Sequence, residues 1–187
     1  MVALLLPEKI AFVASRLSIP VRAINKHSFN IENQTIQMTT INLFTKINAP
    51  KKIVFDLSRN IDVHQNSASK TNEKAIAGVT SGFINYNETV TWRGKHFGFY
   101  LTHKSRITTM DFYDYFVDEM EEGKFKSFKH EHSFVENEGK TVMIDNLNYE
   151  TPFGIFGRLF DKYFLKKHLS NFILERNKVL KYLAENQ

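Results

Sequence analysis

The chain has no cysteine among its 187 residues. That absence excludes disulfides, a thiolate nucleophile and a cysteine-ligated zinc, and it fits a reducing compartment, so a cytoplasmic protein is expected. Long hydrophobic runs are missing too: no stretch approaches the roughly 20 apolar residues that a membrane span needs, and stable membrane insertion is not expected. Met1 to Leu6 is apolar, but it is short, lacks a basic flank and runs at once into Pro7 and Glu8, which argues against a signal peptide. Charge of one sign is nowhere concentrated. The net charge of +5 comes from scattered Lys and Arg with acidic residues between them, so nucleic acid is not an expected partner.

What the chain does have is phenylalanine. Seventeen Phe against one Trp and five Met favour large apolar interior surfaces, as a lipophilic cavity would need. The length fits one domain with a sizeable core.

Residues 1 to 37 differ from the rest: Val2 to Leu17 has some helical periodicity, and His27 to Gln37 is polar and reads as linker. They are expected to be an N-terminal extension, poorly ordered or outside the domain, with the domain proper at residues 38 to 187. Alternation then begins at Met38 and gives a strand through Ile47. Pro50 suits the first turn of a helix over Lys51 to Arg59, and Asn60 or Asp62 caps a second short helix through Gln65. Ser67 to Ser81 is polar and irregular, with a short strand near Lys74 to Ala77.

From Glu88 onward the period is two. Strands are expected over Glu88 to Phe97, Tyr100 to Thr109, Asp111 to Glu121, Lys124 to Glu136 and Lys140 to Glu150, with a bulge or bend at Gly94 and Gly98. Glu121-Glu122-Gly123 and Glu138-Gly139 read as tight hairpin turns. After Pro152-Phe153-Gly154 the period becomes helical. Phe156, Leu159, Phe160, Tyr163, Phe164, Leu169, Phe172, Ile173, Leu180 and Leu183 form a stripe, with Asp161 and several Lys mostly opposite. This order makes an α+β fold in which a curved antiparallel sheet closes on one C-terminal helix. Such a sheet keeps a cavity, and Phe153-Gly154-Ile155-Phe156-Gly157 reads as its flexible lip.

The inward faces carry the candidate site. Alternation puts Phe128, His130, His132 and Phe134 on one face and Met143, Asp145, Leu147 and Tyr149 on the facing strand. A two-residue turn at Glu138-Gly139 sets Phe134 opposite Met143, His132 opposite Asp145 and His130 opposite Leu147. Phe116 and Asp118 join from the preceding strand, Trp92 and His96 from an earlier one if Gly94 keeps the register, and Phe156 and Phe160 from the helix. Two chemical readings follow. A polar network can shape the cavity and orient a ligand's polar end. Alternatively His132 paired with Asp145, with His130 nearby, supplies general acid–base catalysis. H-x-H on a strand with scattered carboxylates is a weaker metal signature than a helical H-E-x-x-H, so no metal and no cofactor is assigned.

Taken in order, Ala77-Gly78-Val79-Thr80-Ser81-Gly82, Val90 to Gly98, Phe116-Val117-Asp118-Glu119, Phe128 to Phe134, Asp145, Tyr149 and Pro152-Phe153-Gly154 resemble the START-like SRPBCC superfamily over residues 38 to 185, in its bacterial ligand-binding, polyketide cyclase/dehydrase-like branch. The resemblance implies a helix-grip fold: seven antiparallel strands, two short helices after the first, and a long C-terminal helix over a deep hydrophobic cavity. Because the superfamily spans lipid carriers, receptors, cyclases and oxygenase subunits, activity does not follow from it. The Rieske Cys/His motif is lacking, which removes the oxygenase reading. Gly94 stands where the pattern has alanine, and Met120 where it has glutamine. The leading expectation is a protein that binds a small hydrophobic or amphipathic molecule; the alternative is a cyclase- or dehydratase-like enzyme acting on a polyketide-like or otherwise activated carbonyl substrate.

Overall fold

The computed structural model describes residues 38–187, and the expectations for residues 1 to 37 lie outside the described residues. Seven strands form one antiparallel sheet: β1 (Thr39–Ile47), β2 (Lys74–Gly78), β3 (Thr89–His96), β4 (Phe99–Asp111), β5 (Tyr115–Glu122), β6 (Ser127–Asn137) and β7 (Lys140–Glu150). Their order in the sheet is β1-β7-β6-β5-β4-β3-β2, so every neighbour from β2 to β7 follows in sequence and β1 crosses over to pair with β7. Between β1 and β2 lie α1 (Lys51–Ser58) and α2 (Ile61–Ser67), the latter capped by Asn60, whose side chain accepts from the backbone N–H groups of Asp62 and Val63. The C-terminal helix is built from α3 (Gly154–Phe160), a π-turn (Asp161–Leu165) and α4 (Lys166–Glu185). This is the helix-grip arrangement, a bent sheet with a long helix lying against it.

The β6–β7 hairpin has the expected register, with His132 opposite Asp145, Phe134 opposite Met143 and His130 opposite Leu147. Its turn residues Glu138 and Gly139 both adopt positive φ (52° and 72°), the conformation a two-residue hairpin loop needs. The Glu121-Glu122-Gly123 connection is wider than expected. β5 runs to Glu122 and β6 starts only at Ser127, leaving Gly123 to Lys126 as a loop.

Of the two glycines expected to mark a bend, Gly98 sits with Phe97 at positive φ in the two-residue turn between β3 and β4, whereas Gly94 marks none. Gly94 pairs with Leu101 without a shift, whereas register breaks occur between Ala75 and Ala77 in β2 and at Lys104/Ser105 and Ile107/Thr109 in β4. The reason for glycine at 94 is space. A Cβ there would stand 3.1 Å from His96 Nε2 and 3.4 Å from the Glu73 side chain.

The largest departure is in the helical stripe. Phe156, Leu159, Phe160, Tyr163 and Phe164 are exposed, while Asp161 and Leu165 are buried, followed by Leu169, Ile173, Arg176, Asn177, Leu180 and Ala184. The π-turn inserts one extra residue into the helical period, so the phase before it is rotated relative to the phase after it. Asp161, expected on the polar side, therefore faces the sheet. There it accepts hydrogen bonds from Tyr149 Oη and Thr39 Oγ1, each 2.5 Å long, and these tie the helix to β7 and β1. Burial first, and then the neighbouring Asp161 carboxylate, push the Tyr149 phenol above its ordinary pKa. Beyond the turn each fully buried Leu or Ile of α4 contributes roughly 1.5–3 kcal/mol of apolar burial.

Two apolar clusters sit under this helix. One gathers Ile47, Val54, Phe55, Trp92, Phe116, Phe134, Met143 and Leu180; the other gathers Ile41, Leu147, Tyr149, Leu165, Leu169 and Ile173. The space between helix and sheet that they leave unfilled is the cavity.

Candidate functional site

A cavity of about 910 Å³ lies between the concave sheet and the C-terminal helix. Its walls are mainly apolar: Ile84, Val90, Trp92, Leu101, Ile107, Phe116, Phe125, Phe128, Leu147, Leu165, Leu169, Phe172 and Ile173. β4 supplies Leu101, His103, Ser105 and Ile107, consecutive positions of one face, which shows how the period-two pattern builds a wall. Phe153 and Phe156 line the cavity yet are 82% and 77% exposed, so they stand at its mouth. Gly157 lets the helix start here, because a Cβ at that position would meet the Pro152 carbonyl oxygen at 1.8 Å.

Of the residues singled out in the sequence, Trp92, His96, Phe116, Asp118, Phe128, His130, His132, Phe156 and Phe160 all line this cavity. Phe134, Met143, Asp145 and Tyr149 do not. Phe134 and Met143 are packed against Phe55 and its neighbours in the apolar core, Tyr149 is turned to Asp161, and Asp145 stands behind the two histidines with 0% exposure. Sharing the inner face of a strand places a residue under the helix. Whether it reaches the cavity depends on what stands in front of it: on β7 Leu147 lines the cavity, while Asp145 and Tyr149 on either side of it are covered by the histidines and by Asp161.

Asp145 is the hub of the first polar cluster. His130 Nε2 lies 3.0 Å from its Oδ1, His132 Nδ1 lies 2.9 Å from the same oxygen but out of line for a hydrogen bond, and Asn177 Nδ2 donates to Oδ2 at 2.6 Å. Arg176 completes it. Its Nη2 donates to the Ser58 carbonyl at 2.9 Å, while Nη1 sits 3.7 Å from Asp145 Oδ1 and has no hydrogen-bond partner among the described residues. On the cavity side His132 Nε2 is 3.7 Å from Asp118 Oδ2. Burial opposes ionisation of Asp145, but His130 and His132 outweigh it and hold its carboxyl well below the usual range. Burial, together with the neighbouring His132, lowers His130 despite Asp145. Asp118 stays below its ordinary value because His132, His130 and His103 overcome its burial.

Sequence reasoning missed a second cluster, His96 apart. His64 Nε2 is 2.8 Å from Glu73 Oε2, Glu73 Oε1 is 4.0 Å from His96 Nε2, and His96 Nδ1 is 2.9 Å from His168 Nε2 on α4. The His64 ring stacks on Trp92 with centroids 4.1 Å apart. Burial raises Glu73, and the bond from His64 together with the surrounding imidazoles brings it below its usual pKa. His96 and His168 are both lowered, chiefly by burial. His103, which also lines the cavity, is likewise lowered by burial, against the raising effect of Asp118 and Glu73. Six of the seven histidines of the chain thus line one cavity; His27 lies outside the described residues. Period counting finds only those on strands with clear phase. His64 and His168 sit on helices among polar neighbours, and Glu73 lies in an irregular segment.

No protein-family model matches the sequence, and no curated protein matches it at a significant level. Solved structures do match in fold. The Zhui aromatase/cyclase from Streptomyces sp. R1128 superposes with a TM-score of 0.64 at 12% identity, covering 80% of this chain and 94% of that one. A START superfamily protein from Mycobacterium smegmatis gives 0.60 at 11% identity over 78% and 97% of the two chains. Major latex-like protein 151 from Panax ginseng gives 0.56 at 15% identity over 79% and 97%. The fold is therefore START-like, of the SRPBCC type. Among the described residues no helix is long and apolar enough to cross a membrane.

Proposed function

We propose that this chain binds a small amphipathic molecule, with an apolar body and at least one polar end, in the cavity between sheet and helix. The observation that carries this reading is a cavity of about 910 Å³ whose apolar walls are interrupted by two compact polar clusters. That volume is at the upper end of the range typical of small-molecule sites, and mostly apolar walls with a few convergent polar groups are their usual make-up. The aromatic walls give affinity. The Nη1 of Arg176, which makes no hydrogen bond among the described residues, and the imidazoles give orientation, since a buried donor without a hydrogen bond is costly until a ligand's acceptor meets it. The fold neighbours include an aromatase/cyclase and a START superfamily protein, and this range supports a binding cavity without choosing its occupant.

Titration with a polarity-sensitive apolar dye tests the reading. The dye is expected to bind one to one with enhanced, blue-shifted emission, and Ser105→Trp, which pushes an indole into the cavity from β4, is expected to weaken binding on the order of tenfold, about 1.4 kcal/mol. Unchanged binding in that variant would place the dye elsewhere and count against the cavity.

One observation favours a catalytic use of the same site. His132 stands between two carboxylates, Asp145 on one ring nitrogen and Asp118 towards the other, an arrangement suited to moving a proton to or from a carbonyl-bearing ligand. His132→Ala separates the two uses: loss of turnover with binding retained marks catalysis, and loss of binding alone marks a carrier.

A further inference from the structure

We propose that Asp118, His130 and His132 form a binding site for a divalent first-row transition ion of the zinc or ferrous-iron type, with open coordination positions facing the cavity. Taken as sequence, H-x-H on a strand is a weak sign of a metal. The sheet changes this by setting Asp118 opposite His130 and Phe116 opposite His132, so the carboxylate comes to lie against the two imidazoles. One donor atom from each of the three residues lies within 4.8 Å of the others. An ion bonded at about 2.0–2.2 Å needs donors roughly 3–3.5 Å apart, so side-chain adjustments of about an ångström close the site.

Independent features of the cluster point the same way. Asp118 and His132 approach without satisfying each other, because 3.7 Å from Oδ2 to Nε2 is too long for a hydrogen bond and fits the separation of two donors to one ion. Behind the imidazoles, Asp145 Oδ1 hydrogen-bonds Nε2 of His130 and stands 2.9 Å from Nδ1 of His132, close to it but out of line for a hydrogen bond. A carboxylate on the far nitrogen is what orients metal-ligating histidines and strengthens them as ligands. His132 thereby turns its Nε2 towards Asp118. Formal charge also permits a cation: Asp118 and Asp145 outnumber Arg176 by one negative charge. Two imidazoles and one carboxylate beside a cavity leave positions for a ligand atom, and this donor set suits zinc and ferrous iron rather than magnesium or calcium. An ion here would grip the polar end of a bound molecule directly.

The test uses the full chain, freed of metal with a chelator and titrated with Co²⁺ as a visible probe, followed by competition with Zn²⁺. One equivalent of Co²⁺ is expected to bind and give d–d absorption bands that Zn²⁺ abolishes. Asp118→Asn, on the cavity wall, is expected to weaken binding on the order of 10–100-fold, and His132→Gln at least as much, with melting curves showing that each variant is folded. If His132→Gln does not fold, Asp118→Asn alone decides. Absence of stoichiometric binding, or binding unaltered by Asp118→Asn, overturns the site. The inference goes beyond the ligand-binding reading and fails separately from it: protein that takes up the apolar dye but no ion removes the metal and leaves the cavity reading standing.

Discussion

Asp145→Ala is expected to destabilise the protein by about 3–5 kcal/mol, the range for breaking a buried charge cluster by removing one partner. Asp145 is fully buried, and four side chains from two elements converge on it: His130 and His132 of β6, and Asn177 and Arg176 of α4. Without it, Arg176 is left as a buried cation whose remaining bond goes only to the Ser58 carbonyl, and Asn177 keeps only Thr45 Oγ1 at 3.1 Å. For a domain of this size the loss corresponds to a fall in melting temperature of roughly 6–20 °C. Asp145→Asn keeps the volume and removes the charge, so it should fall between the two. An alanine variant that melts within about a degree of the parent would mean that the cluster is not coupled to the sheet–helix interface.

Phe55→Ala is expected to cost a similar amount, about 3–5 kcal/mol, for an unrelated reason. Phe55 of α1 has 0% exposure and packs against Phe112, Tyr113, Phe116 and Phe134, with ring centroids 5.3–5.5 Å away. Truncation removes this edge-to-face packing and leaves a void beneath Phe116, which itself lines the cavity. The midpoint of urea unfolding should drop with little change in slope, since the native fold is retained. A loss under 1 kcal/mol would show that the neighbouring rings collapse into the gap.

The two variants probe parts of the molecule that differ in how well the sequence reveals them. The pairing of His132 with Asp145 was readable because Glu138-Gly139 permits one turn length and every later pair follows from it. The strand β1, its following pair of short helices and the β6–β7 hairpin were readable from period and caps for the same reason: each rests on local chemistry. The rotation of α3 was not. A π-turn without proline or glycine leaves no mark in the sequence, and it leaves a row of aromatic side chains exposed, Phe156 and Phe160 of them beside the cavity, while turning Asp161 inward. The Glu73 cluster was hidden for another reason. His64, Glu73, His96 and His168 are up to 104 residues apart and meet only because β2, β3, α2 and α4 converge. Local periodicity carries no information about such a meeting.

That second cluster alters the picture of the cavity. Apolar walls alone would suit a hydrocarbon, whereas two polar groups on the same cavity suit a molecule with separated polar functions or one polar edge. The exposed rings of Phe153 and Phe156 mark where such a molecule would enter.

The central claim, that the cavity holds an amphipathic molecule, is tested most directly by incubating the protein with a cell lipid extract and recording native mass spectra. A discrete added mass that disappears in Ser105→Trp is the predicted result. Spectra showing only the bare chain, with no retained molecule in either protein, would contradict it.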